Sequence, residues 1–182
     1  MPQIDIFADA GFATTVNGRS LMGYVILFNG AVVGYRSTVT KVATTSTSHA
    51  EIFGMCNSVR ETVYIWQLLS ELGIFIADEE PVPVAIDNQA CARYSYGATE
   101  KLLKHVYYKT RYVEDMQEGK VVEVLKIHTD VNLSDPLSKV IKVLATQRRL
   151  LPLLVDVGFL QPGYVNQRLS EGRSTAELLE KI

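Results

Sequence analysis

The sequence predicts a mixed α/β domain built on a five-stranded sheet. Three observations predict it: a strand hairpin near the start of the chain, a long amphipathic helix after it, and then strands that alternate with helices. Hairpins pair strands antiparallel, whereas strands joined through a helix pair in parallel. The expected order is therefore β-β-β-α-β-α-α-β-α. Three antiparallel strands are followed by parallel strands, with helices on the faces of the sheet.

The first three strands are predicted from alternation and from one turn signal. The segment QIDIFAD alternates and is expected to form a strand that ends at Asp9. The run LMGYVILFNGAVVGYRS places two apolar segments around Asn29 and Gly30. This pair favours a type I′ hairpin turn because both positions need positive φ.

Helices and two further strands follow. Apolar residues recur every three or four positions between residues 48 and 72, which predicts a helix, and Gly73 suits its C-cap. The run VPVAID predicts a buried strand that ends at Asp87. Two helices come next, the second of them basic, and VVEVLKI predicts the fifth strand. The next helix is expected to begin at Asp135, directly before a proline.

Length and composition bound the class of protein. A chain of 182 residues holds one full domain, expected at 1–143, and a C-terminal helical extension of unknown role at 144–182. No apolar run approaches the ~18 residues of a membrane span, and the first residues carry acids where a signal peptide has a basic stretch. Cys56 and Cys91 are isolated, which indicates neither a zinc site nor a disulfide framework. An intracellular protein with no membrane partner is expected.

Positive charge is local in this sequence. The net charge of −2 argues against a protein that binds nucleic acid over its whole surface. Residues 99–112 nevertheless contain four basic side chains against one acid, interleaved with a histidine and three tyrosines. This is the charge expected for phosphate contacts, and a solvated helix face explains it equally well. The candidate nucleic-acid ligands are Lys101, Lys104, His105, Lys109 and Arg111.

Four acids, Asp9, Glu51, Asp87 and Asp135, occupy predicted strand ends and helix starts. Carboxylates that cluster repel one another unless a cation neutralises them. A hard divalent cation such as Mg²⁺ takes oxygen ligands, and a pair of such ions can cut phosphodiesters. The four acids are therefore candidate metal ligands of a nuclease.

Each of these acids also has an ordinary structural explanation. Asp9 could be a turn residue at a strand end. Asp87 and Asp135 could be helix N-caps. Glu51 could complete a capping box with Ser48, which needs no metal.

The motifs around the acids read FADAGFA, TSHAEIF, IDNQACA and DPLSK, and a basic segment with a Lys-His pair lies between the last two. Together they resemble the ribonuclease H domain of copia-type LTR retrotransposons, which closes the reverse transcriptase part of the polyprotein. The likeness covers about residues 3–143, in the family's order. Gly11 and Phe12 depart from it by replacing an acid and a tryptophan, and His49 replaces another acid.

The resemblance implies the ribonuclease H fold and cleavage of the RNA strand of RNA–DNA hybrids during retrotransposon reverse transcription. It implies two Mg²⁺ ions, with Mn²⁺ as a substitute, held by Asp9, Glu51, Asp87 and Asp135. The expected partners are the hybrid and the reverse transcriptase domain of the same polyprotein. The expected location is intracellular, in the cytoplasm or within virus-like particles.

The resemblance also makes His128 a candidate catalytic residue, because related enzymes carry a histidine on the corresponding loop. A histidine there could assist proton transfer or product release. A loop histidine bonded to the backbone is the alternative. Tyr107, Tyr108 and Tyr112 are expected to pack on the sheet rather than stack on sugars.

Two other functions stay open on the sequence. One is a catalytically inactive ribonuclease H-like module that structures a reverse transcriptase or another assembly. The other is a DNA nuclease with the same fold. The intact set of four acids favours the active ribonuclease over the scaffold, and the hairpin with the basic segment favours it over the DNA nuclease.

Overall fold

The computed structural model describes residues 3–74, 80–95 and 104–139. Within these ranges the strands are β1 (Ile4–Gly11), β2 (Leu21–Phe28), β3 (Ala31–Val39), β4 (Val82–Ile86) and β5 (Val122–Lys126). The helices are α1 (Thr47–Glu71), α2 (Gln89–Tyr94), α3 (Lys104–Glu118) and α4 (Asp135–Ser138), with a 3₁₀ helix at Thr129–Val131. The predicted extension 144–182 and the domain boundary before it lie outside the described residues.

The five strands form one mixed sheet in the order β3-β2-β1-β4-β5. The β1–β2 and β2–β3 pairs are antiparallel, and the β1–β4 and β4–β5 pairs are parallel. Asn29 and Gly30 both have positive φ, as the predicted hairpin turn requires. The predicted fold class and element order are therefore confirmed.

The sheet separates two layers of core. Ile4, Ile6 and Ala8 of β1 face α1, whereas Phe7 faces the opposite side. This alternation follows from the two-residue period of a strand, and every residue of β1 is buried. Because β1, β4 and β5 are parallel, their carboxyl ends meet at one edge of the sheet, where ligands of such sheets gather.

The long helix α1 begins and ends with local caps. The Ser46 hydroxyl accepts a hydrogen bond from the backbone N–H of His49 at 3.1 Å. At the other end the C-cap is Leu72, so Gly73, the predicted C-cap, lies one residue beyond it; Gly73 has φ of 73° and donates its N–H to the Ser70 carbonyl at 3.0 Å. Among the described helices, α1 included, we find none that is both long enough and apolar enough to cross a membrane.

Candidate active site

Three of the predicted acids meet at the edge where the parallel strands end. Asp9 lies in β1, Glu51 in α1, and Asp87 directly after β4. One carboxylate oxygen from each lies within 4.8 Å of the other two. Asp9 and Glu51 are buried, and Asp87 is half-buried. Residues separated by dozens of positions in sequence therefore form one acidic cluster.

Backbone geometry places these three side chains. The parallel pairing of Ala8 with Ile86 puts the next residues, Asp9 and Asp87, side by side at the sheet edge. Helix α1 approaches β1 closely at Gly54, where a Cβ atom would lie 3.2 Å from the carbonyl oxygen of Asp9. Glu51, one helical turn earlier, thereby reaches the Asp9 region and accepts a hydrogen bond from the backbone N–H of Ala10.

The caps are supplied by neighbours of the acids. The N-cap of α1 is Ser46, so the proposed capping box of Ser48 with Glu51 is wrong. The N-cap of α2 is Asn88, whose side-chain oxygen accepts from the Cys91 N–H at 2.9 Å. The carboxylates of Glu51 and Asp87 are therefore not needed to cap these helices.

The other two ordinary explanations fail in the same way. Asp9 is not a turn residue at the end of a strand, because β1 continues for two residues beyond it. The N-cap of α4 is Ser134, and Asp135 is the first residue of the helix rather than its cap. None of the four acids therefore has the capping or strand-end role that was its ordinary explanation.

Asp135 is held close to this cluster by the loop before it. The Asn132 side chain donates to the carbonyl of Ala8 at 3.1 Å, which ties the loop to the strand residue before Asp9. The Asn132 side-chain oxygen in turn accepts from the Ser134 hydroxyl at 2.6 Å. Asp135 itself is buried and forms an ion pair with Lys139. Among the described residues, the group of three acids close enough to share an ion does not include it.

Two residues of this site had no assigned role in the sequence analysis. The Ser138 hydroxyl donates to the Asp9 carboxylate, and the Lys139 ammonium binds Asp135. Both belong to the DPLSK motif, so the motif pointed to their segment without indicating their contacts. Partial burial lowers the pKa of Lys139, but the hydrogen bond to Asp135 and the charges of Asp9, Asp135 and Asp87 together raise it.

The cluster is electrostatically strained without a cation. Burial raises the pKa of Asp9 to about 7, and the neighbouring charge of Asp87 adds to the effect, while the Ser138 hydrogen bond and Lys139 oppose it. Burial also raises the pKa of Glu51 to about 9, with Asp9 and Asp87 as further causes. At neutral pH Glu51 is therefore protonated and Asp9 is about half protonated, and a bound cation would displace these protons.

His128 lies on the loop after β5, outside this cluster. Its ring accepts a hydrogen bond from the Asp130 backbone N–H at 3.3 Å, and the same nitrogen lies 3.5 Å from the Asp130 carboxylate. The side chain is 78% exposed. The backbone-bonded loop histidine is thus the arrangement found, and a catalytic role for His128 stays a prediction.

The described part of the basic segment, residues 104–112, belongs to α3, which packs on α1, and Val106 and Val113 lie in the shared core. Lys101 and the side chains of Lys104 and His105 lie outside the described residues. The Lys109 ammonium lies 4.3 Å from the centre of the Phe53 ring of α1, a cation–π contact.

Other side chains of α3 differ in their surroundings. Arg111 pairs along its own helix with Glu114 at 3.1 Å and with Asp115 at 2.9 Å. Tyr112 packs against the core as predicted, but Tyr107 and Tyr108 are exposed, so the packing prediction is wrong for those two.

Solved structures share this architecture. The N-terminal RNase H domain of rv2228c from Mycobacterium tuberculosis, solved as a fusion with maltose binding protein, superposes with a TM-score of 0.56. It is 14% identical, and the match covers 75% of this chain and 95% of that one. LC11-RNase H1, solved in complex with RNA/DNA hybrid, gives a TM-score of 0.55 at 19% identity, covering 75% and 94%. This chain has the ribonuclease H fold.

Relatives of this ribonuclease H-fold chain are transposon polyproteins. The retrovirus-related Pol polyprotein from transposon TNT 1-94 of Nicotiana tabacum is 27% identical over 142 residues, which are 77% of this chain and 10% of that polyprotein. The Ty1-JR2 Gag-Pol polyprotein of Saccharomyces cerevisiae is 25% identical over 138 residues, 74% of this chain and 8% of that one. The chain spans a tenth or less of these relatives, and no protein-family model matches it. The predicted resemblance to copia-type retrotransposon polyproteins is confirmed.

Proposed function

We propose that this chain is a ribonuclease H that cleaves the RNA strand of RNA–DNA hybrids in retrotransposon reverse transcription. The observation that carries the proposal is the convergence of Asp9, Glu51 and Asp87 within 4.8 Å at the strand-end edge of a ribonuclease H fold. Burying three carboxylates together costs folding free energy, which a scaffold has no reason to spend, whereas a metal-dependent nuclease needs these groups as metal ligands. The relatives are transposon polyproteins, and LC11-RNase H1 was solved with a hybrid, which fits this substrate.

The residues present fit a divalent metal site. Asp9, Glu51 and Asp87 offer only oxygen donors, which Mg²⁺ and Mn²⁺ accept, and the raised pKa values of Asp9 and Glu51 are those expected of carboxyls that lack a bound cation. Divalent cations bound there would supply Lewis-acid stabilisation of the phosphate and a more acidic attacking water. Asp135 would join the ligand set by exchanging Lys139 for a cation.

Side chains around the carboxylates would prepare the site. Ser138 donates a hydrogen bond to one Asp9 oxygen, so the other oxygen would serve as the metal ligand. Lys139 offsets part of the negative charge of Asp9, Asp87 and Asp135 in the metal-free protein. His128, exposed beside the site's loop, is proposed to assist proton transfer or product release, and the basic residues Lys101, Lys104, His105, Lys109 and Arg111 are proposed to contact phosphates.

The test compares substrates under one set of conditions. The 182-residue chain is incubated with labelled RNA–DNA hybrid, duplex DNA and duplex RNA in Mg²⁺ or Mn²⁺, beside Asp87→Asn and the matched surface variant Asp115→Asn. We expect cutting of the hybrid alone, abolished in Asp87→Asn and retained in Asp115→Asn. Cutting of duplex DNA would instead support a DNA nuclease of the same fold.

An inactive chain is the outcome that would contradict the proposal. The chain is a structural module of the reverse transcriptase assembly if it cuts no substrate by itself and still cuts none after a reverse transcriptase domain from the same polyprotein is added. The proposed partners are accordingly the hybrid and that domain. The proposed location is intracellular, in the cytoplasm or in virus-like particles.

A further inference from the structure

A second surface of this molecule carries positive charge. A groove of about 760 Å³ opens on the α1 side of the sheet, between α1, the second half of β3 and the residues that follow it. We call it the basic groove, because four of its lining side chains are cationic and one is acidic. The cations are Arg36, Lys41, Arg60 and Lys109, and the acid is Glu61.

The positive charge of the basic groove is accessible. Arg36 is 3.6 Å from Glu61, but both side chains are substantially exposed, and exposed pairs of this kind hold together weakly. Lys41 and Arg60 are exposed, and neither has an ion pair recorded within the described ranges. Lys109 reaches the groove from α3 across the Phe53 ring. The groove therefore presents several cations that an anionic ligand can approach.

The position of the basic groove relates it to the carboxylates. Across the sheet, Asp9 pairs with Gly23 and Gly23 pairs with Ser37, the residue before the groove residue Thr38. Two strand spacings amount to about 10 Å. Along α1, Arg60 lies nine residues after Glu51, which is about 14 Å of helix. At about 3.4 Å of rise per nucleotide, that distance corresponds to about four nucleotides of a bound strand.

We propose that the basic groove binds the phosphate backbone of the nucleic-acid substrate about four nucleotides from the carboxylate site. The inference rests on the proposed function, because it takes the same hybrid as the ligand. Four cationic lining side chains distinguish the groove from the core of a protein interface, which is depleted of charge. The Thr38 hydroxyl and the exposed Tyr64 ring add the hydrogen-bonding and stacking groups that contact backbones and sugars.

Binding measured without cleavage tests the proposal. The full chain carrying Asp87→Asn is titrated onto a fluorescent RNA–DNA hybrid at 50 and 200 mM salt, and Arg60→Gln, Lys109→Gln and Arg60→Lys are compared in that background. One phosphate contact contributes a salt slope of about 0.9, so a fourfold rise in salt should weaken the parent about 3.5-fold more than Arg60→Gln. Arg60→Lys should keep the parent's slope.

Lys120→Gln is the matched control. Lys120 is exposed in the turn before β5, at the edge of the sheet opposite the carboxylates, and its loss should change neither the dissociation constant nor the salt slope. All variants are compared by thermal unfolding so that a misfolded protein is recognised.

The outcomes separate the two proposals. The groove is not a phosphate site if Arg60→Gln and Lys109→Gln bind the hybrid as Lys120→Gln does, or if the parent binds no hybrid. A protein partner is then the remaining candidate occupant of the groove. If the wild-type chain cuts the hybrid in that case, the proposed activity survives and only the groove fails. If the two variants lose binding and salt slope but the wild type cuts nothing, the groove stands and the proposed activity fails.

Discussion

Asp9 carries an ionisation cost that a neutral side chain of the same size would remove. Burial, and then the charge of Asp87, raise its pKa from 3.8 to about 7. Asn at this position deletes the charge and leaves an amide oxygen that can accept the Ser138 hydroxyl. It also removes one of the charges that raise the pKa of Glu51. We expect Asp9→Asn to stabilise the metal-free protein at neutral pH.

The magnitude follows from the pKa shift of Asp9. The folded protein keeps this proton up to about pH 7, whereas the unfolded chain loses it near pH 3.8. The native state therefore binds more protons in this window, and the unfolding free energy of the wild type falls as pH rises through it. Each pKa unit is 1.36 kcal/mol, so a shift of roughly three units gives an upper limit of about 4 kcal/mol. The gain of Asp9→Asn should be near zero at pH 4 and complete above about pH 7.

Urea unfolding with EDTA at pH 4 and pH 8 measures this difference, with Asp115→Asn as an exposed control that should show no such pH-dependent gain. Added Mg²⁺ should then stabilise the wild type more than the variant, since Asp9 is a proposed ligand. An equal effect of Asp9→Asn at both pH values, or a loss of stability at pH 8 in EDTA, would refute the reasoning.

Three further predictions concern the elements around the cluster. Gly23→Ala places a Cβ 2.6 Å from that of Leu137 and should lower the free energy of unfolding by about 1–3 kcal/mol, because α4 must move. Gly34→Ala is the control: its Cβ would have no contact under 3.7 Å and should be tolerated. Chemical denaturation compares the two variants. Lys139→Gln removes the counter-charge of the acids, so it should lower metal-free stability and strengthen Mn²⁺ binding severalfold in calorimetry; unchanged Mn²⁺ affinity would contradict this. Asn88→Ala should lower the free energy of unfolding by about 1 kcal/mol because it removes the N-cap of α2. The resulting fall in the urea midpoint should be the same with and without metal.

Local patterns predicted the fold because they act over short distances in the chain. The Asn29–Gly30 turn and the periodic apolar face of α1 each depend on neighbouring residues, and the structure has both; the end of α1 was predicted to within one residue, with the C-cap at Leu72 and positive φ at Gly73. The cap assignment by type and spacing failed at Ser48: only Ser48 has a glutamate three residues later, yet the helix starts at Thr47 and Ser46 is its N-cap. A capping oxygen must meet a specific N–H, and that depends on where the helix starts.

The amino-acid sequence by itself determined the five-stranded mixed sheet. It also determined that four acids follow the order seen in the ribonuclease H domain of copia-type retrotransposons. Both could be read from the sequence because element type and motif order are properties of the chain. Only the tertiary structure decided that Asp9, Glu51 and Asp87 share one site while Asp135 binds Lys139. It also brought Arg60 and Lys109 to one groove from helices far apart in sequence. Electrostatic interactions depend on distances of a few ångströms, and the packing of α1, α3 and α4 on the sheet sets those distances.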